Sequence, residues 1–536
     1  MNVDLSGLSD DQSLSKQQVI SLLNQLEEKF EVQEEKYQAQ IDYLEEQNRL
    51  LRNELFGRKS EKGVAFDDTQ MPLFTQPEAE PIVEEDPQPI DVSSYQRKKR
   101  GRKRLPEHLE RVDIVHDISE QEKMCACGHR MDRIGQDECE KLDYIPAKVR
   151  VLRHIRFKYA CKHCEGVEDE GTTVKIAPVP SQLIPKSNAT AGLLAHLFTS
   201  KFADGLPLYR QEKIFSRMGL ELSRSTMANW AIEASKRCRP LIGLLQKEIR
   251  SGPLINVDET TLQVLKEPGR RNTSKSYMWV YRGGDIERPS LVYQYHPNRS
   301  GQVAVDFIGS DYRGYVQSDA FIGYDRMEQY AGIIHLGCWA HVRRKFYEVI
   351  KVKKKIRSNR KNPKTLADEA LVYITNLYRI EKHAREQQMG PEQIRKLRQA
   401  EARPILDKFE TWLESKKSIV PPKSLLGKAI EYALKNWQRL IVYIEDGRLK
   451  PDNNAAENAI RPFVVGRKNW LFAGHPRGAE ASATFFSLIE TAKANGLEPY
   501  AYLRYLFENL PLIENEDQYR SLLPQHVDQG AICRAQ

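Results

Sequence analysis

Past Pro253 the chain changes its hydrophobic period, and that change constrains the fold more than any other feature. "LINVDETTLQVL" (254–265), "SYMWVYRGG" (276–284) and "PSLVYQYHP" (289–297) are rich in β-branched and aromatic residues and are separated by turn formers, the pattern of strands in a meander. "GQVAVDFIG" (301–309) then reads as a helix and "GYVQSDAFIGY" (314–324) as a fourth strand. "GIIHLGCWAHVRRKFYEVI" (332–350) reads as a strand running into a basic helix. The order is three strands, helix, strand, helix, strand, helix, and in a sheet of this order the first and fourth strands are neighbours. Asp258 in the first and Asp319 at the end of the fourth can then share one site. Two bare carboxylates that close repel unless a cation lies between them. Hard oxygens favour Mg²⁺ or Mn²⁺, and two such ions about 3.5 to 4 Å apart can activate a water or hydroxyl and stabilise the leaving oxygen of a phosphodiester. A third carboxylate is then needed.

The 536 residues exceed one ordinary core and imply several domains. Residues 61–91 hold nine Asp or Glu against one Lys, with Pro72, Pro77, Pro81, Pro87 and Pro89 and few apolar residues, so 61–94 is expected to be an acidic flexible linker. Before it, Leu23, Phe30, Tyr37, Leu44 and Leu51 recur every seventh residue, accompanied by Ile20, Glu27, Glu34, Ile41, Asn48 and Leu55. Such a seam suits a helix packed on its own domain or one paired with a second copy. Its place ahead of a linker favours pairing, and residues 1–60 are expected to be a coiled-coil, leucine-zipper segment that makes a homodimer or higher oligomer.

Net charge is only +8, but it comes in blocks: "YQRKKRGRKR" (95–104) has seven Arg or Lys, as does "KVKKKIRSNRKN" (351–362). Around Gly101, Arg100 and Arg102, with Arg104 beyond, have the layout of arginines that lie in a narrow A·T-rich minor groove, making 95–105 AT-hook-like. A solvated charge run is the alternative, and phosphate attraction is expected in both cases. Eight cysteines are too few for a disulfide scaffold. Cys125 and Cys127 in "MCACGHR", with Cys161 and Cys164 in "YACKHCEG", form two close pairs suited to tetrahedral Zn²⁺, with His129, His154 or His163 as substitute ligands. The stretch between them, "KVRVLRHIRFKYA" (148–160), alternates like strands. A zinc-ribbon-like DNA-binding domain over 106–180 competes with simple burial of free cysteines. No leader pattern opens the chain and no run of about 18 apolar residues could span a bilayer; a cytoplasmic location is expected.

Residues 188–235 read as three helices. One from about Tyr209 to Met218 ends at Gly219, and the next opens with Ser223 or Ser225 as N-cap before "RSTMANWAIE". This is the layout of a helix-turn-helix, whose second helix would present Arg224, Ser225 and Thr226 to the major groove. Any helical hairpin shares the pattern. Residues 185–250 are expected to form this region.

The remaining carboxylate is in "PDNNAAENAIRP" (451–462), where Asn453 or Asn454 can cap a helix that presents Glu457 in its second turn, with Arg461 one turn on and Pro462 shortening or kinking it. Together, "NVDET", "QSDAF" and "NAAENAIRP" resemble the ribonuclease-H-like core of DDE transposases. With "CACGH", "LPLYRQEKIFSRMG", "GCWAHVRRKF" and "GRKNWLFAGHPRGAEASATFFSLIETAKANGLEPYAYL", nearly the whole chain resembles the transposases of the insertion-sequence-66 family. The resemblance implies a multidomain α+β protein: coiled coil, zinc ribbon and helix-turn-helix precede a ribonuclease-H-like α/β core (251–350 and 451–496) with a helical insertion (351–450) and a C-terminal tail (497–536). It implies a metal-binding triad of Asp258, Asp319 and Glu457 with two Mg²⁺ or Mn²⁺ ions. The implied activity is cleavage and strand transfer of double-stranded DNA at terminal inverted repeats and target, in the bacterial nucleoid, with small element-encoded accessory proteins as partners. Where related enzymes carry a basic DNA contact about seven positions after the glutamate, this chain has Val464, so Arg461 and Lys468 are substitutes. Arg343, Arg344 and Lys345, and Arg467 and Trp470 in the glycine-rich stretch 464–479, are further candidates for gripping DNA. Cys338 and His341 could touch a metal or a DNA end, or be packed and structural. A DNA-binding regulator on a dead core, and a nuclease without strand transfer, are the alternatives.

Overall fold

The computed structural model describes residues 149–160, 174–354, 365–527 and 530, with scattered positions of a helix between 29 and 47. The chain divides into two units, Arg58–Arg156 and the rest. Arg100, Arg102, Arg104, Cys125, Cys127, Cys161 and Cys164 lie outside the described residues, as does the acidic linker. In the N-terminal helix Phe30, Tyr37, Ile41 and Leu44 are all exposed. Of the alternating stretch before Cys161, only β1 (Lys158–Ala160) is strand, paired antiparallel with β2 (Val174–Ile176). Residues 149–157 have no strand partner among the described residues.

The change of period at Pro253 produces the central sheet. Its strands are β3 (Leu254–Val264), β4 (Lys275–Gly284), β5 (Pro289–His296), β6 (Gly314–Gln317) and β7 (Ile333–Leu336), in the order β5-β4-β3-β6-β7. The first three are antiparallel, while β6 and β7 run parallel to β3. A short β8 (Phe472–Ala473) pairs with the far end of β3. The expected adjacency of first and fourth strands is therefore present, with Leu254 opposite Tyr315 and Asn256 opposite Gln317. Met278, Trp279, Val280 and Tyr281 are consecutive and wholly buried, which requires cover on both faces of the sheet.

That cover is helical. Thr190 caps α1 (Ala191–Phe198), which runs into a π-helical turn, Thr199–Ala203, and is followed by α2 (Leu208–Arg217) and α3 (Arg224–Ser251). Gly219 takes φ 77° in the turn, and Ser223 Oγ accepts the Thr226 N–H at 3.2 Å as N-cap. The expected helix, glycine turn and serine-capped helix are thus present, but α3 has 28 residues. Its later part buries Leu241, Leu244, Leu245 and Ile249, so one helix both exposes Arg224 and Ser225 at its start and builds the core. On the sheet, α4 (Gly301–Ile308) stacks Phe307 on Tyr281 with ring centroids 3.6 Å apart. The terminal helices α12 (Pro499–Asn509) and α13 (Glu516–Ser521) do not dangle as a tail: Leu503, Leu506 and Phe507 are buried, and Phe507 meets Phe198 edge-on at 5.8 Å.

Between α5 (Trp339–Lys354) and residue 450 the described chain contains helices and no strand, notably α6 (Leu366–Glu386), α7 (Pro391–Leu397), α8 (Arg403–Lys417) and α9 (Leu425–Lys435). They enclose a separate core that includes Trp339, Phe346, Phe409 and Trp437. Arg398, 2% exposed, ties this subdomain together by bonding Glu381 and the carbonyls of Tyr443, Asp446 and Leu449.

The edge strand β5 would offer unpaired backbone to another chain. Instead α11 (Pro476–Ala494) lies along it. Ser487 Oγ accepts the Tyr293 N–H at 2.8 Å, and Thr491 Oγ1 both accepts the Leu291 N–H and donates to its carbonyl, each at 3.0 Å. The substitution Thr491→Val keeps the shape and strands both groups of Leu291. It is expected to lower stability by about 2 to 4 kcal/mol, measured by denaturant unfolding.

Candidate active site

Three buried amides bring distant parts of the chain to one point. Asn256 of β3 donates to Gln317 Oε1 of β6 at 3.0 Å and to Asn453 Oδ1 at 3.1 Å. Asn453 donates in turn to the Val257 carbonyl at 2.9 Å, and Gln317 donates to the carbonyls of Gly337 (3.3 Å) and Lys450 (2.9 Å). The return of the helical insertion is fixed at the same place, by Trp339 N–H to Pro451 O (2.9 Å) and Trp339 Nε1 to Leu440 O (2.9 Å). There begins α10 (Asn454–Trp470). Asn453 is the N-cap residue, but its side chain makes no capping bond: it is spent on β3, and Asp452 Oδ1 accepts the Asn454 N–H at 3.2 Å. Glu457 consequently falls in the first turn of the helix, not the second. The helix also continues through Pro462, which has no N–H to offer the preceding turn. The Tyr293 hydroxyl donates to the carbonyl of Ala459 there.

Asp258, Asp319 and Glu457 are brought together, each partly buried. Asp258 Oδ1 accepts the Glu259 N–H at 2.9 Å and Asp319 Oδ1 the Phe321 N–H at 3.0 Å. Burial, then the charges of Glu259, Asp319 and Glu457, push the Asp258 carboxyl well above its ordinary range. Glu457 Oε1 is buried without a hydrogen-bond partner. Carboxylates that repel one another, with an oxygen left unsatisfied, fit a divalent cation with oxygen preference.

Glu259 escaped the sequence reading because it reads as one more residue of a strand; its only signal was a second carboxylate beside Asp258 in a buried run. It pairs with Arg299 and accepts the Tyr324 hydroxyl. Arg299 also lies 3.9 Å from Asp319 Oδ2 and 3.8 Å from the centre of the Phe321 ring. Burial, then the charge of Asp319, raises Glu259 to about 7, and its bonds to Arg299 and Tyr324 oppose the rise without cancelling it.

The basic candidates separate by environment. Arg343 is exposed, Arg344 Nη2 lies 3.9 Å from Glu457 Oε2, and Lys345 Nζ sits 4.6 Å from the centre of the Tyr432 ring. On α10, Arg461 and Lys468 are exposed, whereas Val464 is wholly buried. Arg467 turns inward to Thr260 and Thr261 at 3.2 Å each, and Trp470 packs edge-on against Phe463 at 5.5 Å. Arg224, Ser225 and Thr226 stand at the start of α3, with Arg224 N–H bonded to Glu212.

A folded carboxyl held above its unfolded value binds more protons than the unfolded chain does. The stability from Glu259 is therefore complete below about 4.5 and lost as pH climbs through about 7. In EDTA, thermal unfolding is expected to show stability declining over this window, with a shallower decline in Glu259→Gln; equal slopes in the two proteins would contradict the assignment.

Four family models match the chain in succession. They are described as Transposase C of IS166 homeodomain (residues 43–114), zinc-finger binding domain of transposase IS66 (122–165), Transposase IS66 family (186–481) and IS66 C-terminal element (487–525). The second spans all four ribbon cysteines and the third all three carboxylates. An uncharacterized protein of Sinorhizobium fredii (strain NBRC 101917 / NGR234), y4jD, is 32% identical over 477 residues, covering 86% of this chain and 89% of its own. A second from the same strain, y4qI, is 32% identical over 447 residues, covering 81% and 78%. With its carboxylate site inside the longest of these matches, the chain belongs to the IS66 family of transposases.

Proposed function

We propose that this chain is a DDE transposase with a ribonuclease-H-like core, which binds the terminal inverted repeats of its own element and carries out DNA strand cleavage and strand transfer. The observation that carries the reading is the convergence of Asp258, Asp319 and Glu457 from β3, the end of β6 and the first turn of α10. Asp258 and Asp319 would hold one divalent ion between them and Glu457 would complete a second position. Bound Mg²⁺ or Mn²⁺ supplies Lewis acidity, lowering the pKa of an attacking water or hydroxyl and stabilising the leaving oxygen. Cleavage at the element ends frees a 3′-hydroxyl, which attacks target DNA with no covalent enzyme intermediate.

The rest of the chain supplies the surfaces that would hold DNA. Exposed Arg343 on α5 and exposed Arg461 and Lys468 on α10 offer positive charge to phosphates, and Arg224 and Ser225 at the start of α3 suit a major-groove contact. The Arg100 to Arg104 hook and a Zn²⁺ held by Cys125, Cys127, Cys161 and Cys164 extend the footprint, and small element-encoded proteins are partners in the full reaction. The exposed Phe30, Tyr37, Ile41 and Leu44 support pairing of the N-terminal helix with a second copy. Among the described residues no helix is long and apolar enough to cross a membrane.

With labelled element ends, a target plasmid and Mg²⁺, the protein is expected to give both nicked ends and joined products; nicks alone would mark a nuclease. The variant Asp258→Ala is expected to lose cleavage by several orders of magnitude while binding ends with unchanged affinity, and cleavage that survives it sinks the triad. Removal of residues 1–60 is expected to yield a monomer by sedimentation with strand transfer reduced at least tenfold, and a fully active monomer would refute the pairing.

A further inference from the structure

We propose that Cys338, His341 and Glu457 form a transition-metal site of the zinc class, separate from the all-oxygen position of Asp258 and Asp319. Their ligand atoms all lie within 4.8 Å of one another. Cys338 immediately precedes α5, His341 lies in its first turn, and Glu457 arrives from the first turn of α10. His341 Nδ1 and Glu457 Oε1 stand 3.7 Å apart, both buried and neither hydrogen-bonded. Buried polar atoms seldom remain unsatisfied, and two of them facing one sulfur mark a place for a shared ligand. Arg344 lies near the other carboxylate oxygen, Oε2, which leaves Oε1 for the metal.

The sulfur accepts the Asn453 N–H at 3.2 Å and the backbone N–H of His341, although burial and then the charge of Glu457 push the free thiol up to about 12. Backbone donors of this kind stabilise a coordinating thiolate, and the thiol proton leaves to solvent as the metal–sulfur bond forms. Thiolate, imidazole and carboxylate together favour Zn²⁺ or Co²⁺ over Mg²⁺. Three protein ligands also leave the fourth tetrahedral position open, as in catalytic rather than purely structural zinc sites. The shared Glu457 is where this inference touches the proposed function: an ion held here withdraws that carboxylate from the triad. Binding itself does not depend on that reading. The competing role for Cys338 is that of a cap, its sulfur serving only the two N–H groups.

The test is Co²⁺ titration of the full-length protein carrying one equivalent of Zn²⁺, which the tighter four-cysteine site takes first, followed by the near-ultraviolet sulfur-to-cobalt absorption. One Co²⁺ with a thiolate band is expected, distinct from any Co²⁺ held by carboxylate oxygens, which gives no such band. Cys338→Ser, which can still accept both N–H groups, is expected to lose the band, His341→Ala to weaken binding more than about tenfold, and Asp258→Ala to bind as the wild type does. Unfolding curves establish that each variant is folded. A band that persists in Cys338→Ser, or wild-type affinity in His341→Ala, leaves only the cap and overturns the site. Loss of the ion in Asp258→Ala would also overturn it, by placing the metal with the aspartates.

Discussion

Asn256, Gln317 and Asn453 are each no more than 2% exposed, and their amides bond in one direction around a junction of β3, β6 and the entry to α10. Both hydrogens of the Asn256 amide are used, on Gln317 and Asn453; both of Gln317 go to backbone carbonyls of the insertion's two ends. A neutral network suits this place. Buried charges would have added to a field already crowded with carboxylates, whereas amides with satisfied partners fix position at little electrostatic cost. Asp258 is two residues from Asn256, Asp319 two from Gln317, and Glu457 one helical turn from Asn453, so locking the amides sets the carboxylates.

The consequence is an electrostatic imbalance. Two like charges about 4 Å apart repel by about 4 kcal/mol at an effective dielectric near 20, and three other carboxyl groups, those of Glu259, Asp319 and Glu457, act on Asp258. Arg299 answers Glu259 and reaches Asp319, and Arg344 approaches Glu457. The largest charges acting on Asp258 itself are all these carboxylates. The fold thus holds these groups in an arrangement that protons can relieve and that divalent cations would relieve better, and it is the packing of the sheet that sets it.

Much of the sheet was legible because its cues are local. Turn residues around 266–275 and 285–288 and the apolar runs between them dictate strands, and the helix between β5 and β6 dictates the crossover that makes β3 and β6 neighbours. The return of Glu457 was not legible from local pattern: it depends on an insertion whose two ends meet through Trp339, Leu440 and Pro451, and only family resemblance pointed there. Asn453 or Asn454 reads as the cap because asparagine often starts a helix; Asn453 holds that position, but its side chain bonds Val257 instead of the helix's own N–H groups. Arg467 and Trp470 read as DNA contacts by composition; in the fold Arg467 bonds Thr260 and Thr261 of β3, and Trp470 lies edge-on to Phe463 of its own helix. Residue type could not say which way a basic or aromatic side chain turns on a half-buried helix. The length of α3 shows the same limit, since its N-cap is local but its extent follows from the core it builds.

The central claim is that three carboxylates from separate elements bind divalent cations. Its most direct test is anomalous diffraction from crystals of the protein soaked in Mn²⁺. The expected result is a manganese peak bounded by Asp258, Asp319 and Glu457, absent in Asp258→Ala. Full Mn²⁺ occupancy elsewhere on the protein with none among these three residues would contradict it.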